Sequence, residues 1–161
     1  MFDAFLKVDG IPGESKDAQH TDWIEITNFN HGVNQPYSTT VSSAGGATAE
    51  RANFTTFNIT KLVDKASVKL FEACFTGKHI NEVVIEVFRA GGNKEKYLDI
   101  KMEKVLIANF NQGGGDEFPV ENVSFAPAKI VMTYIQQKRE DGTGGGSVSA
   151  GWDLMTNDKT A

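Results

Sequence analysis

Three histidines, one cysteine and a few paired carboxylates are the residues of this chain that could carry chemistry. His20, His31 and His79 stand too far apart for the His-x-x-x-His spacing by which one helical turn offers two imidazoles to a metal. Only a site assembled in space from all three would remain. Cys74, the single cysteine, rules out an intramolecular disulfide and any multi-cysteine zinc or iron–sulfur centre. No basic residue shares its expected helix face to lower its pKa, so it reads as a packing thiol rather than a nucleophile. Asp116-Glu117 and Glu140-Asp141 sit in glycine-rich loops, the usual surroundings of solvated charge. Ser147 and Ser149 lack the Gly-x-Ser-x-Gly spacing of a nucleophile elbow, and no glycine run opens a helix as a phosphate cradle would. No catalytic, cofactor or metal site is expected.

The elements that would position any site are mainly strands. Polar and apolar residues alternate with period two in Phe2–Val8, Trp23–Phe29, Phe54–Ile59, Val83–Phe88, Tyr97–Met102 with its continuation to Ile107, Val120–Phe125 and Lys129–Ile135. That spacing predicts an antiparallel sandwich or barrel rather than βαβ units. Val83-Val84-Ile85 and Val105-Leu106-Ile107 are apolar on both faces and should lie centrally or be covered on each side. One stretch breaks the rhythm: Leu70, Ala73 and Cys74 recur at helical spacing, and Phe71 and Phe75 should widen that apolar stripe. A single short helix over about 64–76 follows, with Asp64 or Ser67 as N-cap and Gly77 as its stop. The segment from His31 to Glu50 holds little apolar character and reads as a long loop that is either functional or disordered.

The composition excludes several classes of partner. The 161 residues carry a formal charge of −5, and no Lys/Arg cluster offers a grip on nucleic acid or an anionic membrane. No basic n-region with an apolar stretch opens the chain, and no run approaches the ~18 residues a membrane span needs. The Asn-x-Ser/Thr triplets at Asn53, Asn58 and Asn122 then read as chance strand composition. A soluble barrel with one helix and a long polar loop suits an interaction or assembly module better than an enzyme.

Longer strings sharpen this. Gly13-Glu14-Ser15-Lys16-Asp17 follows the first strand, and Phe57 to Ser67 leads into the helix, which ends Ala73-Cys74-Phe75-Thr76-Gly77-Lys78-His79-Ile80. Ala150-Gly151-Trp152-Asp153-Leu154 comes near the end. In order and spacing these closely resemble the Hcp family, the hemolysin-coregulated proteins of bacterial type VI secretion systems. The resemblance runs from about Met1 to Asn157, which sets the expected single domain at 1–157 with a short tail at 158–161. It implies an antiparallel two-sheet β-barrel with one helix and a long projecting loop, assembling into a homohexameric ring. Such rings stack into the inner tube of a contractile injection machine, with sheath and spike as further partners. The ring is itself secreted without a cleaved signal after cytoplasmic synthesis, and it carries effectors in its lumen. No enzymatic activity belongs to the core family, and no C-terminal toxin extension is expected here. The close alternatives are a phage-tail-tube-like structural protein and a stand-alone binding module. The latter would show exposed Trp/Tyr pairs, whereas only Trp23, Trp152 and three tyrosines occur.

Residue roles follow from the same resemblance. The family's projecting segment reaches neighbouring subunits and matches Thr39–Arg51, making Thr39, Thr40, Ser42, Ser43, Glu50 and Arg51 the candidate inter-subunit contacts. Phe29-Asn30-His31-Gly32 stands where members often read aromatic-Ser-Trp-Gly. The Ser position faces the lumen in some members, so Asn30 is the candidate cargo contact. Strict alternation opposes this, because Asn30 shares parity with Ile24 and Ile26; only a bulge or strand end would turn it outward, and a backbone-capping role is the alternative. Val68 replaces a common proline at the helix start, which should leave the helix intact. Pro127 cannot donate to a ladder, so a break or bulge is expected there.

Overall fold

In the computed structural model, residues 2–38, 48–91, 94–137 and 144–161 are described. Strand β1 (Phe2–Val8) is followed by β2 (Ile24–Ile26), β3 (Asn28–Asn30), β4 (Val33–Asn34), β5 (Tyr37–Ser38), β6 (Thr48–Ala49), β7 (Asn53–Phe54) and β8 (Phe57–Leu62). Helix α1 (Ala66–Thr76) precedes β9 (Ile80–Arg89), β10 (Lys96–Gly113), β11 (Val120–Gln137), β12 (Gly144–Asp153) and β13 (Asp158–Lys159). All pairings are antiparallel. From β1 they run to β9, β10, the first half of β11, β8 and β3, and β3 leads back through β2 to β1, so the circuit closes. The second half of β11 carries β12 and β13 as an extension, which places Asp158–Lys159 within the sheet.

The core fills this circuit with alternate residues of each strand: Leu6 and Val8, Ile24 and Ile26, Phe57 and Ile59, Val83, Ile85 and Val87, Ile100 and Met102, Val123 and Phe125. Helix α1 plugs the end where β8 finishes and β9 begins. It does so with a narrow stripe, Ala66, Leu70 and Ala73, with Cys74 half-buried beside them. Phe71 and Phe75 do not widen that stripe; both are exposed, because a helix laid across a barrel mouth needs one row of side chains. Asp64 Oδ1 accepts from the Ala66 N–H at 2.9 Å, and Gly77 ends the helix at φ 66°, where other residues would be strained. Gly13 has a different reason: a Cβ there would lie 2.5 Å from the Trp23 carbonyl oxygen.

Three expectations need correction. First, the chain does not break at Pro127. Strand β11 runs through it, paired with β8 up to Phe125 and with β12 from Lys129, so the missing donor falls where the strand changes partner. The irregularities nearest to it lie in β10 instead, as a positive φ at Lys104 and a register shift between Ile107 and Asn109. Second, Lys65 rather than Asp64 or Ser67 takes the N-cap position of α1; β9 and β10 both lie inside the sheet as expected, with Leu106 exposed on the outer face of β10. Third, the segment after His31 has ordered flanks: the β4–β7 and β5–β6 ladders form the base of an arm.

Candidate interaction faces

Alternation on the closing strands yields an outward face without charge. Asn30, Asn58, Ser124 and Asn109 lie side by side across β3, β8, β11 and β10, and Asn28, Thr60, Asn122 and Asn111 form the adjacent row. Asn58 Nδ2 donates to Asn30 Oδ1 at 2.9 Å, Ser124 donates to Asn58 Oδ1 at 2.6 Å, and Thr60 donates to Asn122 Oδ1 at 2.9 Å. Asn30 therefore faces outward, bonded to a side chain rather than capping backbone. Parity inverts at Thr27, between β2 and β3, where its N–H donates to the Thr60 carbonyl at 2.8 Å. These bonds orient the amides of Asn30, Asn58 and Asn122.

Beneath one end of this face lies a buried ionic cluster. Lys61 Nζ contacts Glu121 Oε2 at 2.7 Å and Asp64 Oδ1 at 2.9 Å, and donates to the Leu62 carbonyl and to Ser67 Oγ. Gln112 Nε2 holds the other Glu121 oxygen at 2.7 Å. Lys61 and Glu121 have no exposed surface. They tie β8, β11 and β10 to the start of α1. Reading the strands by charge misses this pair, although Lys61 shares parity with Phe57 and Ile59, and Glu121 with Val123 and Phe125.

A second polar cluster covers the outer side of β1. His20 stacks on Phe5 with ring centroids 4.3 Å apart and meets Trp23 and Phe88 edge-on, which buries Phe5 on the face expected to be polar. Asp17 Oδ1 lies 2.7 Å from His20 Nδ1, and Lys94 donates to Asp17 Oδ2 at 3.1 Å. The contact with His20, then that with Lys94, holds the Asp17 carboxyl down at about 2. The lowered value means its stabilisation is complete above the ordinary value of 3.8 and disappears as pH falls through about 2. The melting temperature of the parent should therefore drop more steeply between pH 4 and 2 than that of Asp17→Asn; parallel curves in thermal scans would refute this. The imidazole's Nε2 faces Glu86 at 3.8 Å, and the ring serves as packing. Among the described residues no group of three or more His, Cys, Asp and Glu is placed to hold a metal ion.

Apolar surface collects at two ends. At the α1 end, Val68, Phe71 and Phe75 are exposed; Phe71 packs on Phe75 (5.2 Å) and Phe110 (5.5 Å). Phe118, in the β10–β11 turn at this same end, is 80 % exposed. At the opposite end a cavity of about 270 Å³ lies between the arm and the β11–β12 ladder, lined by Val33, Phe54, Ile130, Met132, Ala150 and Trp152 among others. His31 borders it and stacks on Phe57 at 4.8 Å; burial pushes its imidazole below the ordinary value, so it is neutral at pH 7.

Of the residues expected at interfaces, Asn30 sits on the uncharged face. Glu50 and Arg51 are exposed at the base of the arm: the Glu50 N–H donates to the Pro36 carbonyl at 3.2 Å, and Arg51 Nη2 donates to the Leu154 carbonyl at 3.3 Å. Thr39, Thr40, Ser42 and Ser43 lie outside the described residues. The structure thus ties Arg51 to Leu154, two residues past the cavity's Trp152, and keeps Asn30 on a separate surface. The cavity and the exposed helix face were not foreseen from the sequence.

Known proteins share this architecture. A family model described as "Type VI secretion system effector, Hcp" matches residues 5–134. The protein hcp1 of Pseudomonas aeruginosa is 33% identical over 158 residues, covering 96% of each chain. A solved structure titled as a type six secretion system protein superposes with a TM-score of 0.91 at 30% identity, over 99% of this chain and 100% of that one. Hcp1 from Salmonella typhimurium gives 0.82 at 27% identity over 99% of both. A family match across most of the barrel, with a relative of this identity over nearly the whole length, makes the chain a member of the Hcp family of type VI secretion effectors.

Proposed function

We propose that the chain is a ring-forming subunit of the type VI secretion inner tube, acting by assembly and carriage rather than by catalysis. One domain over residues 1–157, with 158–161 completing its edge, would form a homohexameric ring that stacks with other rings. The sheath and spike are its further partners. The observation that carries this reading is the pair of uncharged rows running from Asn30 to Asn109 and from Asn28 to Asn111. A chain with formal charge −5 keeps all eight of these positions neutral. Such a lining offers hydrogen bonds to a cargo without charge that would repel it or trap it. Asn30 is the cargo contact in this reading, and the arm from Thr39 to Arg51 reaches a neighbouring subunit. The chain would be made in the cytoplasm and exported without a cleaved signal.

Native mass spectrometry of the purified chain should show a six-membered ring, and electron micrographs an open centre. A monomer at every concentration refutes the reading. Rings of Asn30→Gln should still form but retain several-fold less effector on co-purification, because the longer amide breaks the bond to Asn58 and alters the row. Equal retention would remove Asn30 from the cargo contact.

A further inference from the structure

The molecule carries an apolar knob and an apolar hole that it cannot bring together within one copy. Phe118 is the knob. It stands on the turn between Gly113 and Val120, braced by Pro119, whose carbonyl accepts from the Val63 N–H, and flanked by the exposed carboxylates of Asp116 and Glu117. The hole is the cavity walled by Val33, Phe54, Met132, Ala150 and Trp152. Val120 and Ile130 are both on β11, and ten residues at ~3.3 Å rise put roughly 30 Å of strand between knob and hole. Charge matches as well. Arg51 comes three residues before Phe54 and donates to the carbonyl of Leu154, so its guanidinium is held two residues along the chain from the cavity's Trp152. It is the complement of the Asp116-Glu117 pair.

We propose that Phe118 of one copy seats in the cavity of a second copy, with Asp116 and Glu117 facing that copy's Arg51. The proposal rests on the assembly reading above and names the surfaces that perform it. Because knob and hole are different patches at opposite ends, the contact is heterologous: every copy keeps one knob and one hole available for the next, and association continues until it closes or stacks. A single aromatic entering a preformed apolar cavity, with a charged rim around it, has the form of an interface hot spot. The exposed helix face near Phe118 adds apolar area around the knob.

The test uses the full chain. Phe118→Asp should raise the concentration of half-assembly at least tenfold in sedimentation or native mass spectrometry, with an unchanged circular dichroism spectrum, while Phe118→Leu shifts it far less. In a Cys74→Ala background, Phe118→Cys with Ala150→Cys should give a ladder of covalent multimers on mild oxidation. Each single-cysteine chain should not. If the parent forms rings but Phe118→Asp assembles equally well and the cysteine pair stays uncoupled, this contact is wrong and the assembly reading stands. A parent that is monomeric throughout overturns both.

Discussion

Glu121→Leu should destabilise the fold by about 3–5 kcal/mol, and Lys61→Met in the same chain should restore most of that loss. The first change leaves the Lys61 ammonium inside the barrel without its 2.7 Å partner; Asp64 at 2.9 Å is then its only carboxylate. A buried charge deprived of its mate costs several kcal/mol, whereas apolar residues of similar volume in both positions cost little or add stability. Denaturant unfolding of the parent, both single variants and the double variant gives the coupling directly. Additive effects would mean that the two side chains do not act as a pair.

Phe57→Ala should cost about 3–5 kcal/mol, the usual loss for an aromatic removed from a packed core. Phe57 is 1 % exposed and stacks with Phe29 at 5.9 Å and with His31 at 4.8 Å. The substitution has a second reading. Burial is what lowers the His31 pKa, so removing the ring beneath it lets water reach the imidazole and moves its midpoint up toward 6.5. A proton NMR titration follows this independently of stability. A midpoint that stays put would mean that another neighbour dries the ring.

Period two made most of the barrel legible, since core residues at alternate positions identify the strands without any knowledge of their partners. It failed wherever geometry depends on what lies across from a residue. Asn30 has core parity when counted from Ile24, and only the turn of the chain at Thr27, bonded to Thr60 on β8, reverses it. Phe5 has surface parity, yet it is buried because His20 folds over it from a distant loop. Lys61 and Glu121 look like solvated residues until they are placed opposite each other beneath a helix. The helix itself was readable, within two residues at its start, but not its exposed aromatic side. How many of its rows are covered depends on the width of the barrel mouth. The cavity was invisible for a similar reason: Val33, Met132 and Trp152 are distant in sequence and share a wall only through the arm and the β11–β12 ladder.

Strands β10 and β11 each run for 18 residues, longer than any other element here, and remain paired from Leu98–Tyr134 to Gly113–Val120. Their bonds lie across the chain direction. A push or pull along this hairpin therefore loads the whole ladder in shear, with its bonds strained together. Force applied across it would unzip them one after another. The partner exchange at Pro127 does not break this ladder, whose register shift lies elsewhere, between Ile107 and Asn109, so both halves of the barrel hang from one strut. A tube protein of a secretion system gains from being stiffened along one such line.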